Sequence, residues 1–293
     1  MFSPYDILKQ AQSGKYAIGS FNFSTAEILK AVVLAAEKMK SPVIVSTSEG
    51  EAKFVEMCEA AALVEAWRKE KNLPIILNLD HGKSLESVRA ALAAGYDAVH
   101  FDGSELSFDE NIKRTKEAAE YVRGIEKTLG KKIVIEGEIG YLRGSSSLHK
   151  EKLEITEADL TTADQATRFL AETGVDSLAV VIGNAHGVFA AGEEKLNLKR
   201  LAEIKQAVDE NVFLVLHGGS GIPAEDVKEA IALGIVKVNV NTELRLAYKK
   251  ALDKQLAENP EESTPYKILA PSLAAVEAVV AEKIKIFGSE NKI

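Results

Sequence analysis

The chain has a single cysteine and no long apolar run, and each shortage excludes a class of protein. Cys58 is the one cysteine among 293 residues, so an intrachain disulfide is impossible. It lies in the apolar-rich stretch VEMCEAAALVEAW, which predicts a buried or half-buried, unreactive thiol. The apolar runs fall far short of the roughly 20 residues that span a bilayer. We therefore expect neither disulfides nor a membrane partner.

An excess of basic residues is also lacking. The 36 lysines and arginines are outnumbered by 44 aspartates and glutamates, which gives a net charge of −8. No global positive field exists to attract nucleic acid, so a nucleic-acid partner is not expected. The opening MFSPYDILKQAQSGKY lacks a basic segment followed by an apolar one and so predicts no signal peptide. A cytoplasmic location is the expectation that follows.

Short β-rich runs alternate with amphipathic helical stretches along the whole chain. Several runs are almost continuously apolar, as in parallel strands buried on both faces. Eight strand–helix units predict an α/β protein, a single (β/α)8 TIM barrel domain over residues 1–293. A doubly wound sheet is the alternative, but no GxGxxG turn follows the first strand. The eight candidate strands are YAIGSFN, PVIVSTS, PIILNLD, DAVHFDG, KIVIEGEI, SLAVVIGN, VFLVLHGG and IVKVNVN.

Helix signals and one long connection complete the outline. Capping boxes at Ser24-Thr-Ala-Glu27 and Thr162-Ala-Asp-Gln165 predict helix starts, the first helix running through Lys40. The polar segment at about 140–160 is too long for an ordinary connection and predicts a lid over the site. The stretch LAAVEAVVAEKIKIF predicts a C-terminal helical extension.

Three of the five histidines lie at or just after predicted strand ends. They are His81 in NLDHG, His186 in IGNAHGV and His217 in LVLHGGSG. Carboxyl ends of barrel strands converge on one face, and three imidazoles with an open position are typical of catalytic zinc. A structural role is the competing interpretation for each histidine alone. His100, inside the fourth strand, is predicted to pack in the core, and His149 falls in the polar segment.

Carboxylates and amides accompany these histidines. Asp80 precedes His81 and is a candidate general acid/base, or else a partner that orients a histidine. Glu136 and Glu138 share one face of the fifth strand, opposite Ile135 and Ile139, so both are predicted to point into the barrel. Strand eight alternates in the same way: the polar residues Lys237, Asn239 and Asn241 alternate with the valines Val236, Val238 and Val240.

A glycine-rich turn follows the seventh strand. Gly218-Gly219-Ser220-Gly221 precedes a helix, and backbone N–H groups at such a turn bind phosphate. Phosphate sites after the seventh and eighth strands recur in barrels of this kind. The turn and the polar stripe of strand eight together indicate a phosphate-binding site.

These motifs together resemble those of the class II, metal-dependent fructose- and tagatose-bisphosphate aldolases. The matching stretches cover nearly the whole chain in family order: SFNFSTAE, NLDHGKS, FDGSELSFDEN, EGEIG, TGVDSLAVVIGNAHGV, LVLHGGSGIP, KVNVNTEL and KIKIFGSENKI. The resemblance implies reversible aldol cleavage of a ketose bisphosphate to dihydroxyacetone phosphate and an aldehyde such as glyceraldehyde 3-phosphate. It also implies a homo-oligomer, a dimer or tetramer.

The resemblance assigns roles residue by residue. His81, His186 and His217 match the ligands of a catalytic Zn²⁺ or a similar ion such as Co²⁺, and Asp80 matches the acid/base at the cleaved bond. Asp102 and Glu138 match a second or alternative metal position, and a monovalent cation, Na⁺ or K⁺, accompanies the phosphate in the family. Residues matching the substrate pocket are Gly187, Gly218, Ser220, Asn239, Asn241 and Thr242, to which Asn22 and Ser48 are added.

The segment after the fifth strand departs from the family. Members carry a glycine pair followed by acidic residues there, one of which is a second base. This chain has YLRGSSSLHKE, in which Arg143 replaces one glycine and Ser145 and Ser146 fall where the acids belong. His149 or Glu151 is the candidate replacement.

The same departure leaves other functions open. One is a non-catalytic barrel that binds sugar phosphate, and another is an aldolase for a different ketose phosphate. A Schiff-base aldolase would need Lys237 as the inward lysine and would leave the histidines unexplained. A barrel metallohydrolase would show a His-x-His pair after strand one, which SFNFS lacks.

Overall fold

The eight predicted strands form a closed parallel barrel in the computed structural model, which describes residues 3–149, 155–189 and 195–293. The single-domain (β/α)8 prediction is confirmed, and closure excludes the doubly wound sheet. The barrel strands, in their order around it, are β1 (Ile18–Asn22), β10 (Ile235–Val240), β9 (Phe213–Leu216), β7 (Ser177–Val180), β5 (Val134–Ile139), β4 (Ala98–Phe101), β3 (Ile75–Gly82) and β2 (Val43–Ser48).

Helices connect the barrel strands and cover the outside of the barrel. They are α1 (Pro4–Gly14), α2 (Ala26–Met39), α3 (Glu49–Val55), α4 (Met57–Lys71), α5 (Leu85–Ala94), α6 (Phe108–Leu129), α7 (Ala163–Thr173), α8 (Leu198–Ala207), α9 (Ala224–Ala232), α10 (Thr242–Glu258) and α11 (Pro265–Phe287). The predicted C-terminal helix lies within α11, which packs against α2 and α10. Among the described residues, no helix is both long and apolar enough to cross a bilayer.

Alternation along β5 divides apolar from charged side chains as predicted. Ile135 and Ile139 belong to the large core cluster between strands and helices. Glu136 and Glu138 are buried inside the barrel, 2% and 1% exposed. Gly137 lies between them, and a Cβ there would come within 2.7 Å of the Phe169 ring on α7. The sequence of β5 thus brings two carboxylates into the barrel and packs α7 closely against its outside.

The valine stripe of β10 is only partly as predicted. Val238 and Val240 join the outer core, but Val236 joins a second cluster with Ile18, Ile44 and others beneath α1. The pairing of β10 with β9 shifts register between Ile235 and Lys237, and such an irregularity breaks strict alternation. The prediction for Val236 was therefore wrong.

Two local predictions need correction and one is confirmed. Helix α2 takes Thr25, not Ser24, as its N-cap, since the Thr25 side chain accepts the Ile28 N–H. The capping box at Thr162 forms with Gln165 as predicted. Cys58 is exposed, not buried. It lies in the first turn of α4, where Ala60 and Val64 face the core instead.

The predicted lid segment contains a strand of its own. Here β6 (Gly144–His149) pairs in parallel with β8 (His186–Phe189), forming a two-stranded sheet apart from the barrel. Arg143, just before β6, makes two hydrogen bonds of 2.9 Å to the Asp159 carboxylate. The segment thus has regular structure of its own, and its role as a lid stays a prediction.

Candidate metal centre

The carboxyl ends of the barrel strands bring the predicted histidines together. His81 lies near the end of β3, His217 directly follows β9, and His186 begins β8. The ring of His81 is 4.7 Å from that of His217 and 5.0 Å from that of His186, both edge-on. Residues 136 positions apart therefore share one site at the mouth of the barrel.

His81 and His217 direct one ring nitrogen at each other. The distance between His81 Nε2 and His217 Nδ1 is 3.1 Å. The other nitrogen of each ring meets a carboxylate: His81 Nδ1 lies 2.8 Å from Asp102, and His217 Nε2 lies 2.7 Å from Glu136. Because a carboxylate takes each outer N–H, both facing nitrogens present lone pairs in the neutral tautomers. A positive charge between them, a proton or a cation, is required.

The two orienting carboxylates are themselves held in place. Glu136 accepts a 2.7 Å hydrogen bond from Lys237, which is 3% exposed inside the barrel. Asp102 accepts from Lys83 at 2.8 Å and from Ser104 Oγ at 2.6 Å. Lys237 is thus committed to an ion pair beneath the histidines, which disfavours it as a Schiff-base lysine.

A second group of potential ligands lies directly behind His81. It comprises His81, His100, Asp102 and Glu138, whose candidate atoms all lie within 4.8 Å of one another. Within the described residues, both carboxylate oxygens of Glu138 and Nε2 of His100 lack a hydrogen-bond partner. Buried carboxylate oxygens are costly unless a cation compensates them. These orphaned atoms fit the second metal position that the resemblance implies.

Burial and neighbouring charges set the protonation of the site. Burial lowers the pKa of His186 to about 3 and that of His217 to about 4, so both are neutral at pH 7. Burial also acts to lower the pKa of His81, but Asp80, Asp102 and Glu138 outweigh it and raise that pKa to about 10. The cluster therefore attracts one positive charge and leaves imidazole lone pairs available around it.

Asp80 lies beside the histidines with its carboxylate fixed by two amides. Asn22 donates to one oxygen and Asn239 to the other, each at 3.0 Å. Burial acts to raise the pKa of Asp80, but the charge of His81, the His100 ring and the charge of Lys237 hold that pKa well below its ordinary value. An ionised, oriented carboxylate at the cleft is suited to accept a proton.

The glycine-rich turn after β9 is fixed by close backbone contact. Gly218 has φ +64°, and a Cβ there would come within 2.1 Å of the Ala185 carbonyl oxygen. Only glycine fits such a position. Ser220, 3% exposed, accepts the Glu243 N–H at the start of α10. The turn and the start of α10 thus form one wall of the cleft.

Most of the predicted site residues line a single cleft. Asp102 and Glu138 lie behind His81 and do not line this cleft. His100 lies with them, buried as predicted but among polar side chains. The described residues that line the cleft are Asn22, Ser48, Asp80, His81, His186, Gly187, His217, Gly218, Ser220, Asn239, Asn241, Thr242 and Arg245.

Two charged residues of this region were not anticipated. Arg245 lines the cleft one turn into α10, and it pairs at 2.6 Å with Glu51 of α3. Glu51 forms a capping box with Ser48, a signal present in the sequence as Ser48-Glu-Gly-Glu51. The start of helix α3 could thus be predicted from the sequence, but the contact between Glu51 and Arg245, 194 residues away, could not.

The donor set fits a divalent cation. Two nitrogens bound to a tetrahedral zinc at about 2.0–2.1 Å would lie roughly 3.3 Å apart, close to the separation between His81 and His217. His81 with Asp80, His100 and His217 forms another group of atoms within 4.8 Å. His186, the third predicted ligand, is in neither group of the described residues and meets His81 through its ring. Neutral imidazoles with carboxylate partners are typical of zinc sites.

Replacing Glu138 with glutamine is expected to stabilise the metal-free protein by about 3 kcal/mol at pH 8. Burial and Asp102 raise the pKa of Glu138 to about 7 from its ordinary 4.5. Above pH 7 the fold therefore holds an ionised group that unfolding would release into water, whereas below 4.5 it is protonated in both states. In urea titrations with EDTA, the excess in free energy of unfolding of Glu138→Gln over the wild type should grow as the pH rises from 4.5 to 7.

The exposed variant Glu120→Gln serves as the control, without a pH-dependent change. Equal stabilisation of the Glu138→Gln protein at pH 4 and pH 8 would contradict the role of the buried charge.

The chain is a (β/α)8 barrel with a histidine–carboxylate cluster at its carboxyl mouth, the face where enzymes of this fold have their active sites. The family model of class II fructose-bisphosphate aldolases matches residues 3–292. The chain therefore belongs to that family of lyases.

Solved structures agree in fold over the full length. The YdjI aldolase from Escherichia coli K12 is 34% identical, with a TM-score of 0.81 and coverage of 100% of this chain and 99% of that one. A putative fructose-1,6-biphosphate aldolase from Coccidioides immitis is 26% identical, with a TM-score of 0.84 and coverage of 99% and 97%. Fructose-bisphosphate aldolase from Campylobacter jejuni shares the fold at 22% identity, with a TM-score of 0.81 and coverage of 100% and 97%.

Proposed function

We propose that the protein is a metal-dependent aldehyde-lyase that cleaves a ketose carrying a phosphate at C1 and releases dihydroxyacetone phosphate. Fructose 1,6-bisphosphate and tagatose 1,6-bisphosphate are the first substrates to test, with glyceraldehyde 3-phosphate as the second product. The observation that carries the proposal is the 3.1 Å approach of the facing ring nitrogens of His81 and His217, with the Asp80 carboxylate beside them.

The metal would be held by His81, His186 and His217, with Asp102 and Glu138 as a second position. Zinc is the first choice and cobalt the second, because neutral imidazoles suit both. When bound, the cation supplies an electrophile that polarises the ketone at C2 and stabilises the negative charge left by cleavage.

Asp80 is the residue that handles the proton at the cleaved bond. Cleavage between C3 and C4 requires loss of the proton from the C4 hydroxyl, and Asp80 accepts it. Asn22 and Asn239 each donate to this carboxylate and so fix its direction. In the reverse reaction the protonated Asp80 returns that proton to the aldehyde oxygen.

The phosphate of the dihydroxyacetone half is assigned to the wall formed by Gly187, Gly218, Ser220 and Thr242. Backbone N–H groups at this turn and at the start of α10 are suited to an anion. Asn239 is assigned to the hydroxyketone. Asn241 was placed with this group from the sequence, but its side chain donates to Glu51 at 3.2 Å. A sodium or potassium ion beside the phosphate is part of the proposal.

A second base must return a proton to C3 after cleavage. His149 and Glu151 are the candidates on the segment after β5. Glu151 lies outside the described residues, as do the positions of the His149, Ser145 and Ser146 side chains. This assignment rests on the sequence alone.

Cleavage is expected to disappear with EDTA and to return with zinc or cobalt. The measurement is release of dihydroxyacetone phosphate from ketose phosphates that share the C1 phosphate, with metal content determined in the same samples. Metal-loaded protein that releases none from any ketose phosphate would contradict the proposal.

The alternative is a barrel that binds sugar phosphate without cleaving it. Arg143 stands where the family carries a glycine, and it forms a salt bridge with Asp159. This difference favours the non-catalytic alternative. Tight binding of dihydroxyacetone phosphate without exchange of its C3 proton would support this alternative. A cytoplasmic dimer or tetramer is the assembly we propose for either function.

A further inference from the structure

The direction of the His81 side chain does not follow from the alternation along β3. Leu77 and Leu79 belong to the outer core cluster, whereas Asp80 points into the mouth of the barrel, where two amides hold it. Because successive side chains of a strand point to opposite faces, a regular β3 would send the His81 ring outward with the two leucines. The ring lies instead 4.7 Å from that of His217. Two adjacent residues, Asp80 and His81, therefore face the same site.

A turn of the backbone at His81 produces this arrangement. The φ angle of His81 is +50°, and among the described residues no other non-glycine residue inside a strand has a positive φ. The pairing of β3 with β2 ends at Asp80, and its pairing with β4 shifts register between Leu79 and Gly82. Residues with a side chain rarely adopt a left-handed conformation, and they keep it only where their surroundings hold them in it. The conformation of His81 therefore requires support from a neighbour.

His100, on the adjacent strand β4, gives that support. Its ring is 0% exposed, and its Nδ1 lies 3.2 Å from the backbone nitrogen of His81, which donates to it. A backbone N–H that is kept from water is costly when it has no partner. The hydrogen bond to His100 therefore favours the backbone conformation that His81 adopts.

The same hydrogen bond fixes the tautomer of His100. A ring nitrogen that accepts from a backbone N–H carries no proton, so the ring is neutral and its one proton is on Nε2. Nε2 lies 3.4 Å from Oε2 of Glu138. Neither ring nitrogen is then available to a metal, since Nδ1 is bonded to the main chain of His81 and Nε2 is protonated. In this arrangement His100 supports a ligand and is not a ligand itself, although it lies among potential ligands.

We propose that His100 is a positioning residue of the metal site, which holds the His81 backbone in the left-handed conformation that turns the His81 ring toward His217. Its action complements that of Asp102, which bonds the Nδ1 atom of the His81 ring at 2.8 Å. Asp102 fixes the rotation of the ring, and His100 fixes the main chain that carries the ring. This inference rests on the proposed metal-dependent function and adds a residue to the same site.

The first test compares zinc affinity in two variants of His100, by competition against a chromophoric chelator. Leucine has no acceptor, and loss of a group that orients a ligand typically weakens metal binding by about 10–100-fold. In His100→Asn the side-chain oxygen takes the place of Nδ1 and can accept the His81 N–H, so most of the affinity should return. Ser177→Ala is the matched control and should bind zinc as the wild type does. Ser177 is also a buried polar residue of the barrel, and its Oγ lacks a partner within the described residues.

The second test observes the hydrogen bond itself by NMR. The chain has five histidines, so protein labelled with ¹⁵N at histidine alone gives five backbone amide signals. The signal of His81 is identified by its absence in His81→Gln. In the metal-free protein this amide should be protected from hydrogen exchange in the wild type and in His100→Asn, and it should lose protection in His100→Leu. The ring of His100 should carry its proton on Nε2 both with and without zinc.

Four results would overturn the assignment. They are unchanged zinc affinity in His100→Leu, no recovery in His100→Asn, a proton on Nδ1 of His100, and loss of the Nε2 proton when zinc binds, which would make His100 a ligand. Should His100→Leu fail to fold, the affinity of His100→Asn and the tautomer in the wild type decide. A wild-type protein that binds no zinc would instead overturn the proposed function. In that case the tautomer of His100 and the exchange of the His81 amide still decide whether His100 holds the backbone.

Discussion

Substituting asparagine for Asp80 should lower kcat for ketose phosphate cleavage by about 10³-fold while zinc remains bound. General acid/base groups accelerate reactions by roughly 10²–10⁴-fold. Here hydrogen bonds fix the carboxylate, and its surroundings keep it ionised. Asparagine has the same shape but cannot accept the proton of the C4 hydroxyl. The amide oxygens of Asn22 and Asn239 lack partners within the described residues, so either amide can turn to accept from the new NH₂ group.

The measurement is steady-state kinetics with zinc content on the same preparation. Zinc stoichiometry and binding of dihydroxyacetone phosphate should be nearly unchanged, which separates loss of proton transfer from loss of the site. Asp109→Asn, at an exposed position on α6, is the control and should retain full activity. Near-normal kcat in Asp80→Asn would show that another group moves the proton.

Replacing His217 with alanine should weaken zinc binding by at least about 10³-fold and abolish cleavage. His217 supplies one of the two facing nitrogens, and its loss removes a direct ligand. Glu136 keeps its ion pair with Lys237, so no buried charge is left alone and the fold should survive. Competition titration against a chromophoric chelator measures the change in affinity.

Glu136→Gln provides the graded comparison. It removes the carboxylate that orients His217 but keeps the ligand, and loss of such a partner typically weakens metal binding by about 10–100-fold. Zinc affinity should therefore fall in the order wild type, Glu136→Gln, His217→Ala. Wild-type affinity in His217→Ala would exclude His217 as a ligand.

The barrel and the positions of the strand-end residues were predictable from the sequence because the signals are local. Apolar runs identify parallel strands, and alternation along β5 assigned Glu136 and Glu138 to the interior correctly. The same rule failed at Val236, where the register shift in β10 depends on the neighbouring strand. Cys58 was misassigned because an apolar helix does not reveal which of its faces is outward.

Pairs formed across the barrel were not predictable. The contacts of Glu136 with Lys237 and of Glu51 with Arg245 join residues 101 and 194 positions apart. Composition showed that these charges exist, but only closure of the barrel decides which acid meets which base. His100 illustrates the same limit, since its place in a strand predicted burial correctly but not its polar surroundings.

The contact between Gly218 and the Ala185 carbonyl has a consequence for how the protein acquires its metal. The Asn184 side-chain amide also donates to the His217 carbonyl at 3.0 Å, so a hydrogen bond and a close backbone approach join the segments that carry His186 and His217. Their spacing is set by chain packing, and it exists before any ion arrives. Folding and metal loading are therefore expected to be separate events, unlike in a zinc finger. The apoprotein should then bind metal, and the loaded protein exchange one metal for another, without unfolding.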